Sequence, residues 1–489
     1  MSEHYYIACD LGAESGRVIL GRLSEGRVTI EEIHRFPNGA VKIAGSLRWD
    51  ILRIFEELKI GLRKVAAKGL PVRSLSVDSW GLDYVLVGAG QPMLSPPYTY
   101  RDARNDAPFA AALKSPGAEP IFAETGIQFM SINTLYQLIA EQQSSAKLLG
   151  LADRFLMIAD YLHFLFSGVA SAEESLASTS QLYNPVTRQW STRLAEIFAL
   201  PAHIFPPLVA PGTRLGPLLP KIAAETGLEP IPVIATCSHD TGAAVAAVPA
   251  SGDDWAYLSS GTWSLIGIEL PRPLLDDAAR AHNFTNEAGF GGTTRFLKNI
   301  VGLWLLQECR RAWSQHGDVH AYATLAAEAE HAEPFRSLIN PNDARFLKPD
   351  QMPDKIAAYC RETGQPAPET QGQFTRCIYE SLALLYRRTL DEIEAVTGRR
   401  IARLHIVGGG SQSALLNQFA ANATGRVVLA GPVEATALGN VLLQAITLGH
   451  LGSLTDLRAT VAASLSIAEY QPQQPDPWEK AFARFTRLP

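Results

Sequence analysis

Four short stretches of this chain gather the residue types that handle phosphate or move a proton. In Asp10-Leu11-Gly12-Ala13-Glu14-Ser15-Gly16-Arg17, two glycines make a tight turn whose N–H groups approach phosphate oxygens closely. Ser15 and Arg17 add donors, and Asp10 at a strand end is placed to hold a divalent cation through water. An ordinary hairpin turn fits the same residues equally well. Leu258-Ser259-Ser260-Gly261-Thr262-Trp263-Ser264 is a second donor-rich turn of small hydroxyl residues around one glycine. In Thr236-Cys237-Ser238-His239-Asp240-Thr241-Gly242, an aspartate sits where an apolar strand gives way to a helix. A carboxylate there serves as a helix cap, as the acceptor of a hydroxyl proton, or as both. Gly408-Gly409-Gly410 before a helix costs chain entropy, which suits backbone that must lie flat against a ring or a phosphate. A close strand–helix turn explains it as well.

Weaker candidates accompany these. Asp78-Ser79-Trp80-Gly81-Leu82-Asp83-Tyr84 is polar and aromatic just past a strand, the composition of a sugar pocket or of a surface loop. Arg101-Asp102-Ala103-Arg104 reads as a structural charge cluster, and the small residues of 434–440 as a close-packing helix face. No Gly-x-x-x-x-Gly-Lys-Ser/Thr, Gly-x-Gly-x-x-Gly or His-Glu-x-x-His pattern occurs, so phosphate handling here cannot use a P-loop.

The elements that must position these residues follow from periodicity. Residues 5–10, 17–22 and 28–35 alternate as paired strands, and a helical stripe runs over 49–68 through Ile51, Ile54, Phe55, Leu58, Leu62 and Val65. A short buried strand at 75–78 and strand-then-helix units at 155–166 and 231–248 imply helices covering a mixed sheet. After the polar stretch 249–254 the chain begins again, with strands at 255–260 and 263–269 around a Gly-Thr turn. The opening pattern of strand, small-residue turn, strand is thus repeated about 250 residues later, which implies two similar lobes, each with one phosphate-facing hairpin. Helices are expected near 299–313, 321–331 and 371–397, then a strand at 403–407, a helix from 411 to 423, another to 449, and a short final one. The expected domains are 1–248, 254–452 and a helical tail, 453–489.

Composition narrows the class. The chain has 489 residues, 47% hydrophobic, with a formal net charge of −6. That charge offers no footprint for nucleic acid or an anionic membrane. No window reaches the ~20 apolar residues of a membrane helix, and no secretory leader is visible. Five cysteines at irregular spacing describe neither a disulfide framework nor a zinc site. Cys360 and Cys377 would meet if their segments pack together, and a reduced pair is expected. These features point to the cytoplasm.

Two phosphate hairpins in duplicated lobes, a triple-glycine turn and the missing P-loop resemble the actin-like ATPase superfamily, and within it the FGGY carbohydrate kinases. The phrases DLGAESGRV, DSWGLDYVL, YRDAR, SHDT, AYLSSGTWSL, NEAG, LKNIVGLWLLQ, LHIVGGGSQ and GPVEATALGN carry the likeness, in order, over nearly the whole chain. The resemblance implies an α/β fold of two actin-like (ribonuclease-H-like) lobes, with ATP and sugar in the cleft between them. It implies ATP and Mg²⁺ as cofactors, and as substrate a small ketose, L-rhamnulose, phosphorylated at its C1 hydroxyl. By the same resemblance Asp240 is the catalytic base. His239, Thr241, Gly81, Asp83 and Asn299 touch the sugar. Ala13, Glu14, Ser15, Gly16, Arg17, Thr262, Gln307 and Gly409 touch the nucleotide, and Asp10 is linked to the metal. Glu14 departs from the small residue expected there, so its carboxylate must point away from phosphate. Another ketose (L-fuculose, xylulose or ribulose) and a non-catalytic sugar-binding regulator remain as alternatives. The protein is expected to act as a monomer or small homo-oligomer, with no nucleic-acid or membrane partner.

Overall fold

Apolar residues alternating from Tyr5 onward form the strand His4–Leu11, the centre of a six-stranded sheet. The computed structural model describes residues 3–315, 317 and 320–489. The chain divides into two units. One comprises Met1–Pro249, Glu269–Phe296 and Ala435–Leu465; the other comprises Ala250–Ile268, Leu297–Glu434 and Ser466–Pro489.

In the first unit the strands lie in the order Thr213–Pro217, Pro232–Ala235, Val72–Ser79, His4–Leu11, Ser15–Ser24, Arg27–Pro37. The last three form an antiparallel meander. His4–Leu11, Val72–Ser79 and Pro232–Ala235 run parallel, with Asp10 opposite Asp78 and Leu75 opposite Val233. Their C-terminal ends therefore share one edge, where loops of α/β sheets carry chemistry. The helix Ile51–Ala66 starts where the Asp50 carboxylate accepts the Arg53 N–H at 3.2 Å, and it buries Ile51, Ile54, Leu58, Leu62 and Val65. Gly61 lets it sit close to the sheet, since a Cβ there would lie 2.4 Å from Val18.

The helix Ala435–Thr447 packs on His4–Leu11 and on the helix Asp240–Ala246. At Gly439 a Cβ would fall 1.9 Å from the Ala243 carbonyl oxygen, so only glycine permits that approach. Its buried polar side chains are satisfied by the sheet. Ser74 Oγ donates to Gln444 at 2.6 Å, Gln444 Nε2 donates to the Ile7 carbonyl at 2.9 Å, and Asn440 donates to Asp78 at 2.6 Å. The helix Leu454–Ser464 also lies in this unit, against Arg27–Pro37. A second lobe running unbroken to 452 is therefore interrupted, because residues 435–465 bury their small-residue faces on the first unit. Helical periodicity identifies such a face but not its partner.

The second unit holds, in order, Thr294–Val301 from Leu297 on, Trp263–Leu270 as far as Ile268, Trp255–Ser260, Arg403–Val407, Val427–Ala430 and Ala468–Tyr470. Trp255–Ser260 pairs antiparallel with Trp263–Leu270 and parallel with Arg403–Val407. The helix Gln371–Thr397 is capped by Thr370, ends at Gly398 in the left-handed region, and packs on Tyr322–His331 and Ala414–Thr424. The expected helix at 299–313 is corrected. Thr294–Val301 is a strand and the helix is Trp304–Ser314, since apolar residues on both faces of a short run suit a buried strand as well as a helix. The tail contributes an edge strand, Ala468–Tyr470, before its last helix, Pro475–Phe485. All five cysteines are free, and the buried thiols of Cys360 and Cys377 share a hydrogen bond. Among the described residues no helix is long and apolar enough to cross a membrane.

Candidate active site

Three carboxylates meet at the shared strand edge of the first unit: Asp10, Asp78 and Asp240. Asp10 pairs with Arg17 across the first hairpin. Asp78 is fully buried, and its Oδ1 has no hydrogen-bond partner among the described residues. Burial, then the charge of Asp10, pushes its carboxyl well above the ordinary range. In the hairpin itself Gly12 N–H donates to the Ser15 carbonyl at 2.9 Å, and a Cβ on Gly16 would strike the Phe36 ring at 2.2 Å. Ala13 and Ser15 are half-buried and Glu14 is exposed at the tip, the position its charge requires.

Beyond Pro232–Ala235 the chain crosses beside Ser79, whose N–H donates to the Ser238 carbonyl at 2.9 Å. Glu173 anchors this crossing by accepting from Ser238 N–H at 2.9 Å and from Ser175, whose Oγ in turn accepts His239 N–H at 3.2 Å. Burial holds the Glu173 carboxyl up at about 7. His239 is buried, and Asp240 opens the helix Asp240–Ala246. Asp240 Oδ1 accepts Thr241 N–H at 2.5 Å and Thr241 Oγ at 3.1 Å, and lies 3.4 Å from His239 Nε2. Its Oδ2 makes no hydrogen bond to the described residues, and the side chain is 30% exposed. Burial raises the Asp240 carboxyl, partly offset by its hydrogen bonds from Thr241. One oxygen is thus clamped and the other open, which is the arrangement of a proton acceptor.

Asp83 is corrected. Its side chain is fully buried and accepts from Trp49 at 2.6 Å, Trp80 at 3.0 Å and Gln137 at 3.0 Å. Burial lifts its carboxyl to about 6. The carboxylate is occupied inside the fold, so it braces the Trp49–Trp80 pair (ring centroids 4.4 Å apart) instead of reaching a ligand. Gly81 is buried against Thr179, 2.8 Å from where its Cβ would be.

In the second unit the nucleotide candidates converge. Gly261 N–H donates to the Trp263 carbonyl, while Leu303 N–H and Trp304 N–H donate back to Gly261 and Thr262 at 2.9 and 3.2 Å. That ties the Thr262 turn to the helix carrying Gln307, whose buried Oε1 has no partner. Gly410 sits on Ser260, where a Cβ would lie 2.0 Å from Oγ, and Gly408 has φ +82°. Gly409 is exposed, with nothing within 4 Å of a Cβ. Asn299 lies on the strand Thr294–Val301 of this unit, half-buried.

The donors suit a magnesium-bound nucleotide. No cluster of three ligating side chains occurs among the described residues, and Mg²⁺ needs only one or two carboxylates beside phosphates and its own waters. The orphaned Oδ1 of buried Asp78, beside Asp10, is acidic chemistry of that kind. Sequence reasoning passed over Glu173, Glu287 and Arg295, and took Asp78 only as part of a polar, aromatic candidate stretch. Asp78 and Glu287 stand within phrases that carry the family likeness, but no local spacing signals their roles.

The sequence pattern of the FGGY family of carbohydrate kinases, N-terminal domain, matches residues 5–247, and that of its C-terminal domain matches 256–448. Rhamnulokinase from Bacteroides thetaiotaomicron is 44% identical over 98% of both chains, and that from Bacillus subtilis 40% over 96% of both. Among solved structures, ligand-bound xylulose kinase from Lactobacillus acidophilus superposes with TM-score 0.82 at 16% identity, covering 99% of this chain and 97% of its own. Plasmodium falciparum glycerol kinase with ADP gives 0.77 at 13% identity, covering 99% and 98%.

Proposed function

The chain belongs to the FGGY family of carbohydrate kinases, and from that premise we propose that it transfers the γ-phosphate of ATP to the C1 hydroxyl of L-rhamnulose, as a step of rhamnose breakdown. It is an ATP-dependent carbohydrate kinase of two actin-like α/β lobes, acting on a small-molecule sugar. The choice of ketose rests on the full-length likeness to rhamnulokinases.

The observation that carries the chemistry is Asp240, with Oδ1 held by Thr241 and Oδ2 open. Oδ2 accepts the C1 hydroxyl proton as the oxygen attacks the γ-phosphorus and the bond to the ADP oxygen breaks. Most of the remaining acceleration comes from positioning. His239, Thr241, Gly81 and Asn299 contact the ketose. The first hairpin (Ala13 to Arg17), Thr262, Gln307 and Gly409 contact the nucleotide. By this assignment the expected lobe 1–248 carries the sugar and the expected lobe 254–452 the nucleotide. Mg²⁺, held by Asp10 through water, supplies neutralisation of phosphate charge when bound. Free thiols suit a reducing compartment, and we place the enzyme in the cytoplasm as a monomer or small homo-oligomer.

The test is ADP release with ATP·Mg²⁺ over L-rhamnulose, L-fuculose, xylulose and ribulose. Strong preference for L-rhamnulose is expected. Activity on another ketose alone discards the substrate and keeps the chemistry, and ADP release independent of any sugar overturns the reading.

A further inference from the structure

Behind His239 lies a charged pair that the reaction does not touch directly. Arg295, on the strand Thr294–Val301, is the largest fully buried side chain among the described residues. Its Nη1 lies 3.0 Å from Glu287 Oε2, on the strand Thr285–Ala288, and its Nε donates to the Ala288 carbonyl at 3.1 Å. Its Nη2 is hydrogen-bonded to His239 Nδ1 at 3.2 Å. Gly242, in the first turn of the Asp240 helix, lies in contact range of the guanidinium.

Arginine carries five donors and no acceptor. The Nδ1 that meets Nη2 must therefore offer a lone pair, and the ring proton sits on Nε2. Glu287 Oε2 is also 3.2 Å from Nδ1, but it forms no hydrogen bond by geometry, whereas the arginine contact does. Nε2 faces Asp240 Oδ1. We infer that Arg295, charge-balanced by Glu287, is a positioning residue that holds His239 as the Nε2–H tautomer, so that the ring turns an N–H, and no second positive charge, toward Asp240 Oδ1 3.4 Å away. The inference rests on the proposed role of Asp240 as base.

The physical reason is electrostatic. An imidazolium 3.4 Å from the base would stabilise its ionised form and weaken it as a proton acceptor. A guanidinium against Nδ1 opposes that second positive charge. The charged and titratable groups around the ring's loop are Asp240 on its own helix, Glu287 and Arg295 on the hairpin, and Cys237 and Glu173 beside the crossing. Asp10 and Asp78 act on Asp240 from the neighbouring strand ends. Burial pushes the Glu287 carboxyl up, and the Arg295 guanidinium leads the opposing effects that bring it below its ordinary value. Without the guanidinium, nothing opposes the pull of Asp240 on the ring, even where Glu287 is neutralised with it.

Two measurements test this. In the wild-type protein with ¹⁵N-labelled histidine, the His239 resonances, identified by their loss in His239→Gln, should show an unprotonated Nδ1 and a protonated Nε2 at neutral pH. A protonated Nδ1, in either a neutral or a charged ring, overturns the inference, and this readout needs neither turnover nor a buried-charge variant. The second measurement is kcat/KM for the ketose against pH in Arg295→Met/Glu287→Gln, which removes both buried charges together and keeps volume. The loss relative to wild type should be about tenfold or more at acidic pH and smaller at alkaline pH, with KM for ATP unchanged. A loss of equal size at every pH marks a structural role and overturns the inference. Failure of wild-type sugar-dependent ADP release would instead sink the proposed reaction, leaving the tautomer result standing by itself.

Discussion

Asp240 and Asp83 differ in what their oxygens touch, and that difference separates a base from a brace. Both carboxyls are raised by burial. Asp83 has its oxygens taken by two indoles and an amide, whereas Asp240 keeps one oxygen without a hydrogen bond. Asp240→Asn should lower kcat by roughly 10²–10⁴-fold, the usual contribution of a positioned base, with the Kd for ATP nearly unchanged. Near-normal turnover would remove the assignment. The pH dependence has a definite sign. As the proposed base Asp240 must be ionised, and burial lifts its carboxyl above the ordinary value of about 3.9. As pH falls, kcat/KM should therefore decline sooner than an unperturbed aspartate would dictate. The junction that holds Asp240 was legible as a local pattern that fits a helix cap and a proton acceptor alike, and the base role came from the family resemblance. Asp83 was misread because a sugar-binding carboxylate and a buried, indole-bound one look alike until the partners, Trp49 and Gln137, come from 34 and 54 residues away.

At the scale of the element, the Gly408-Gly409-Gly410 turn separates two jobs that the sequence presents as one. Gly408 and Gly410 serve the fold, through a left-handed φ and contact with Ser260, while Gly409 is open. Gly410→Ala should destabilise the protein by about 1–3 kcal/mol through overpacking, read as a lower denaturant midpoint. Gly409→Ala should leave that midpoint within ~0.5 kcal/mol, as surface changes do, and raise the Kd for ATP. Equal effects of the two substitutions on ATP binding, with none on stability, would remove the division. The helices told a similar story. Gln371–Thr397 matched its periodicity end to end, whereas the run before Trp304 reads as helix or strand by pattern alone and pairs as the strand Thr294–Val301.

For the whole molecule, ligand linkage is the accessible readout. A ligand that binds only the folded state at a hundred times its Kd contributes ~2.7 kcal/mol of stability. L-rhamnulose should therefore raise Tm by a few degrees, in Asp240→Asn as in wild type, since that variant loses proton transfer and keeps most sugar contacts. No shift with any ketose, beside a clear one with ATP, would argue against the sugar assignment. The return of Ala435–Leu465 to the first unit adds a second whole-molecule feature, because Asn440 and Gln444 on that segment satisfy Asp78 and the Ile7 carbonyl.

What the sequence determined by itself was local: the strand meander from His4 to Pro37, the capped helix after Asp50, the two small-residue hairpins, and the aspartate at the start of its helix. Periodicity, capping and turn chemistry act over a few residues, so they can be read along a line. The tertiary structure alone decided which buried groups face one another: Arg295 against His239, Glu173 against Ser238, and Asn440 against Asp78. Hydrogen-bond geometry and charge compensation in the interior depend on partners 56, 65 and 362 residues apart, and no spacing along the chain encodes them.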